Sequence, residues 1–164
     1  MGAGTGALEW HIKQLNPQLH VECTDYTSAA MERLKKVFPS IDDAYEFDML
    51  EGDYSAFATN SVLVFHRLSN EFNPEQWKTV FAKMKEGGVK DIIFTPCEVV
   101  DPIVALKETL AHIKNRLLGR RDTFCGWMYS EKELMDIFGV GGYTVRNSKE
   151  LSYTNIYLLQ RESL

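Results

Sequence analysis

Nothing in this sequence approaches 18 consecutive apolar residues, so a membrane-spanning helix is not expected. The opening MGAGTGALEW has neither a basic nor an apolar region, and a secretory signal is not expected either. Cysteine is scarce. Cys23, Cys97 and Cys125 are scattered, with no C-x-x-C, which points to reduced thiols in a cytoplasmic setting and against a disulfide framework. No ligand cluster stands at metal spacing, so no metal is expected. Basic residues are outnumbered, 18 Lys+Arg against 23 Asp+Glu, for a net charge of −5. That balance disfavours sequence-independent nucleic-acid binding as the main task. Repeats, low-complexity tracts and Pro/Gly/Ser linkers are missing too, so the 164 residues are expected to form one domain, 1–164. With 45% hydrophobic residues, a chain of this size can build a core that needs no metal or disulfide.

What is present is an alternation of helical and extended patterns. Leu8, Ile12 and Leu15 recur at helical spacing between Gly6 and Leu15, and Asn16-Pro17 ends the run. Leu19 to Thr24 reads as a short strand closed by Asp25. Thr27 or Ser28 then caps a helix with Ala30, Leu34, Val37 and Phe38 on one face, stopped by Pro39. A third strand is expected at 44–48, and SVLVF at 61–65 has the continuous apolar character of a strand buried on both faces. Asn73, Pro74 and Gln76 spell a capping box, followed by a Trp77, Val80, Phe81, Met84 stripe and a Gly87-Gly88 stop. DIIFT at 91–95 is another buried strand. Ile103, Leu106, Leu110, Ile113 and Leu117 mark a longer amphipathic helix. Ser130 with Glu133 caps a helix carrying Leu134, Ile137 and Phe138, and the tail reads as an antiparallel hairpin. Such an order predicts an α/β, three-layer domain with a mostly parallel sheet.

The chemistry lies at the start. Gly2-Ala3-Gly4-Thr5-Gly6 runs straight into a helix, and Asp25 stands at the end of the next strand. Glycines allow a close ligand approach, the helix start offers free N–H groups, and a strand-end carboxylate can accept from two ribose hydroxyls. A bland glycine turn is the competing reading. Two ligand classes fit the string: as G-x-G-x-G an S-adenosylmethionine loop, as Gly2-x-Gly4-x-x-Ala7 a dinucleotide fingerprint.

Later segments add to the first reading. GAGTG, TDYT with Asp25 and Tyr26, and FDML with Asp48 and Met49 resemble, in order, motifs of the class I S-adenosylmethionine-dependent methyltransferases. WKTVFAKMKEGGVKDIIFTP and GWMYSEKELMDIFGVGGYTV resemble the family's later helix, turn and strand segments, so the resemblance covers nearly the whole chain. It implies a Rossmann-like seven-stranded sheet with only the last, inserted strand antiparallel. It also implies S-adenosylmethionine as cofactor and methyl transfer to a small-molecule acceptor. The cofactor would lie against Gly2, Ala3, Gly4, Thr5, Gly6, Asp25, Tyr26, Asp48, Met49 and His66. The different-class alternative is a catalytically silent, methyltransferase-like partner subunit; a weaker one is a nucleotide-binding oxidoreductase fragment. The family's first strand and its acidic residue would precede Gly2, where this sequence has Met1 alone. The strands holding Val21 and Leu63 are therefore expected either to gain a strand from a second copy, giving a homodimer, or to close up.

Several residues carry two readings each. His66, after the apolar run at 61–65, reads as a cofactor-wall residue or base, or as a packed or surface histidine. Arg67 follows His66 after the strand; Asn70, Glu71 and Phe72 on the same loop would border substrate, or simply form the loop. Cys97 reads as structural, because no partner base accompanies it. Asp48 would meet the adenine amino group or be a plain loop carboxylate. Lys107, Lys114, Arg116, Arg120 and Arg121 against Glu108 give a local excess of positive charge, either a solvated helix face or a phosphate-binding edge. Trp127 and Tyr129 would line the substrate mouth or anchor the core.

Overall fold

The computed structural model describes residues 1–57, 61–118, 126–152 and 154–161, without the side chains of Ala105 and Glu108. Arg120, Arg121 and Cys125 lie outside the described residues. The chain divides into two compact units, Met1–Gly52 and Asp53–Leu164.

In the first unit, Gly6 in a left-handed conformation leads into helix α1, Ala7–Leu15. Strand β1 is Glu22–Asp25, helix α2 Ser28–Val37 and strand β2 Asp43–Glu46. The two strands pair in parallel, from Glu22 beside Asp43 to Asp25 beside Glu46. Thr27 caps α2, its hydroxyl accepting from the Ala30 N–H at 3.3 Å. Val21, Cys23, Met31, Leu34 and Ala44 form the core, with Ile12, Ala30 and Phe38 packed against it. Two expected inward residues are corrected. Leu15 is 87% exposed and Val37 faces solvent as well, whereas Met31 and Lys13 are buried. Lys13 turns inward because its Nζ finds three acceptors: Asp42 Oδ2 at 2.8 Å, the Leu19 carbonyl at 2.9 Å and the Pro17 carbonyl at 3.4 Å.

The second unit opens with a 3-10 turn at Tyr54–Phe57 and continues with strand β3, Val62–His66. Helix α3, Pro74–Glu86, has the expected reciprocal capping box, with Asn73 Oδ1 accepting from Gln76 N–H and Gln76 Oε1 from Asn73 N–H, each at 2.9 Å. Its Trp77, Val80, Phe81 and Met84 are all buried. Gly87 is its C-cap, and glycine is required there because a Cβ would lie 2.6 Å from Tyr54 Cβ. Strand β4 is Asp91–Thr95, helix α4 Pro102–Leu117 and helix α5 Glu131–Val140, the last again with a capping box. Strands β5, Tyr143–Glu150, and β6, Asn155–Arg161, complete a four-stranded sheet in the order β3-β4-β6-β5. β3 and β4 run parallel, and β6 is inserted antiparallel to both neighbours. That is the inserted antiparallel strand the resemblance implies. A seventh strand is not among the described residues, which hold six strands in two sheets.

An aromatic cluster fills this unit's core: Phe65, Trp77, Phe81, Phe94, Phe138, Tyr143 and Tyr157 meet at ring-centroid distances of 5.2 to 6.2 Å. Such contacts add to area burial because ring edges meet ring faces. One expectation fails here. β3 is not buried on both faces: Leu63 and Phe65 are buried while Val62 is 53% exposed, so the strand alternates. The five residues of the α4 apolar stripe are all exposed.

Candidate functional site

Three features of the first unit converge on the glycine string. Gly2, Gly4 and Gly6 all have positive φ, at 61°, 52° and 75°. Such angles cost other L-residues about 1–2 kcal/mol. Gly6 is constrained doubly, because a Cβ there would stand 2.4 Å from Leu34 Cδ2 and 2.8 Å from Phe38 Cε2. At Gly4 a Cβ would meet only the Gly2 carbonyl, at 3.9 Å, so this turn faces open space. At the start of α1 the N-cap residue Gly6 provides no side-chain cap for the first N–H groups.

Asp25 ties this loop to the strand end. Its Oδ2 accepts from the Gly4 N–H at 3.1 Å and its Oδ1 from the Thr27 N–H at 3.4 Å. The Ala3 N–H donates to the Thr24 carbonyl at 2.8 Å, laying the loop along the end of β1. A carboxylate offers about four lone-pair sites, so each Asp25 oxygen retains capacity for one further donor. The Gly4 carbonyl accepts from Arg33, a contact the sequence did not single out. Tyr26 is the exposed aromatic beside Asp25. Just beyond β2, Asp48 Oδ1 accepts from Leu50 and Glu51 N–H groups at 2.8 and 3.2 Å and so organises the turn that holds Met49. The Phe47 N–H donates to the Asp25 carbonyl at 2.9 Å, which keeps the two strand ends together.

Around this arrangement the chemistry is quiet. Burial, with Glu9 nearby, pushes the Cys23 thiol up to about 12, so it is a packing group rather than a nucleophile. Lys13 donates a hydrogen bond that, with the Val21 N–H at 2.7 Å, holds the Asp42 carboxyl below its usual range. This pair was missed from sequence. A lysine inside a helical period reads as surface until its acceptor is known.

His66 belongs to the second unit, where it ends β3 opposite Thr95 and is exposed. The loop after it contains Arg67, the non-glycine residue with positive φ among those described, at 57°, its N–H donating to the Thr95 carbonyl at 2.7 Å. Cys97 is half-buried, its Sγ 3.0 Å from the Arg67 carbonyl and 3.1 Å from Asn70 Oδ1. The Asn70 carbonyl also accepts from the Trp127 N–H at 2.9 Å. Phe72 stacks edge-on against Trp77. Tyr129 is a core anchor and not a mouth residue: it is 1% exposed and its hydroxyl donates to the Phe72 carbonyl. Lys107, Lys114 and Arg116 are exposed on α4. Among the described residues no helix is long and apolar enough to cross a membrane.

No family model and no curated protein matches the chain. Solved structures do. The S-adenosylmethionine-dependent methyltransferase SibL, in its apo form, superposes with a TM-score of 0.73 at 13% identity, over 99% of this chain and 49% of its own. PigF with SAH gives 0.70 at 15% identity, over 98% and 48%. The pyocyanin biosynthetic protein PhzM gives 0.66 at 17% identity, again over 98% and 48%. The chain thus spans about half the length of these three and has their fold, the Rossmann-like α/β fold of the methyltransferase class the sequence resembles.

Proposed function

We propose that this chain binds S-adenosylmethionine at the loop Gly2–Gly6 and serves transfer of its methyl group to a small-molecule acceptor. The observation that carries the reading is the Asp25 carboxylate, bonded to the Gly4 N–H at the end of β1 with accepting capacity left over. When bound, the cofactor supplies an electrophilic methyl on a sulfonium leaving group. The protein's part is then placement and exclusion of water. Asp25 would accept from the two ribose hydroxyls. Gly2, Ala3, Gly4, Thr5 and Gly6 would let backbone, rather than side chains, approach the amino-acid portion of the cofactor. Tyr26 and Met49 would flank the adenine, and the remaining oxygen of Asp48 would accept from its amino group. The acidic overall balance supports a small acceptor over a nucleic acid.

Calorimetric titration with S-adenosylmethionine, S-adenosylhomocysteine and NAD tests this reading. Saturable binding of the first two, with no heat from NAD, is the expected result. Binding of NAD alone would move the chain to the dinucleotide reading, and binding of none would leave the silent-subunit alternative.

A further inference from the structure

Helix α4 is mounted with its amphipathicity reversed. At 100° per residue, Ile103, Leu106, Leu110, Ile113 and Leu117 fall within an arc of about 80°. All five point outward, with exposures from 48% at Ile113 to 81% at Leu117. On the opposite side His112 and Asn115 are half-buried. The polar face is therefore the one turned toward the body of the unit. The helix is held in this attitude at its start, where Asp101 Oδ1 accepts from the Ile103 N–H at 2.8 Å and Pro102 opens the first turn.

The stripe alternates in steps of three and four residues, the spacing of a coiled-coil seam over two heptads. Beside the seam, the flanking positions hold Lys107 and Lys114 on one side and Thr109 and Arg116 on the other, with no acid among them. A second α4 laid against this seam would set cations against cations. Residues that flank a seam in this way choose the partner by charge.

We infer that α4 is a docking surface for an amphipathic helix of another protein, one that presents an apolar seam flanked by glutamate or aspartate. Its 16 residues give a seam of about 24 Å, enough for four to five turns of a partner helix.

The test uses two synthetic 18-residue helical peptides that share a Leu/Ile seam and differ only in having Glu or Lys at the flanking positions. Binding to the whole chain is followed by fluorescence anisotropy in low and high salt. The Glu peptide is expected to bind about tenfold more tightly, with the ratio shrinking as salt screens the flanks. L110E should abolish binding of both, and since Leu110 is exposed the variant keeps its fold. The double variant K107E/K114E should reverse the preference while leaving the melting temperature unchanged. Equal affinities, or no binding of either peptide, would overturn the inference. So would a homodimer in sedimentation that L110E disperses, or binding to phosphatidylserine vesicles with no peptide preference.

Discussion

Asp25 and Lys13 show how differently single residues carry meaning in this chain. Asp25 was legible in the sequence because a carboxylate 19 residues after a glycine string has a geometric reason to be there. If it holds the ribose, D25A removes two charge-assisted hydrogen bonds of about 1.5–3 kcal/mol each, and S-adenosylhomocysteine should bind at least about tenfold more weakly in calorimetry. An unchanged affinity in the folded variant would remove the ribose role. Lys13 was not legible, because its burial depends on Asp42, 29 residues away. Asp42 is held below its ordinary range by the Lys13 bond first and the Val21 N–H second. A carboxyl depressed in the folded state stabilises above its unfolded value, near about 3.9, and that contribution is lost as pH falls through the folded value. The expected outcome is that D42N lowers the urea midpoint at pH 7 and flattens its decline below about pH 4. A variant with the wild-type acid profile would show that the pair does not couple to folding.

At the scale of elements, caps and stops were the reliable signals. Asn73-Pro74 with Gln76 placed α3 to the residue, and N73A is expected to cost about 1 kcal/mol in urea unfolding, since the Gln76 N–H loses its partner. The glycine loop yields a sharper contrast. G6A drives a methyl into Leu34 and Phe38 as well as straining φ, and should destabilise the first unit by about 1–3 kcal/mol. G4V strains the backbone at φ 52° but meets open space, without the clash of G6A, and should abolish cofactor binding in a chain that still folds. Retained binding in G4V would show that the loop is not the site. Faces were less legible than positions. Periodicity in α4 revealed an apolar stripe and left open what the stripe meets. Alternation in β3 was hidden because Val62 and Val64 are as apolar as Leu63 and Phe65, although only the latter two are buried.

For the whole molecule, element order was readable from local chemistry, and the two-sheet pairing was not. Nothing in the residues of β6 announces that it inserts between β4 and β5; that follows from long-range packing of Tyr157 and Leu159, both buried. A ligand that binds only the folded chain stabilises it by mass action, about 2.7 kcal/mol at a hundredfold excess over Kd. S-adenosylhomocysteine at that excess should therefore raise the melting temperature, and D25A should need a proportionately higher concentration for the same rise. The most direct measurement is an amide-resolved NMR titration of the labelled chain with S-adenosylhomocysteine. The account requires saturable shifts at Ala3, Gly4, Gly6, Asp25, Tyr26 and Met49, with the α4 amides unmoved. Saturation with the Gly4 and Asp25 amides unmoved, or no shifts anywhere, would contradict it.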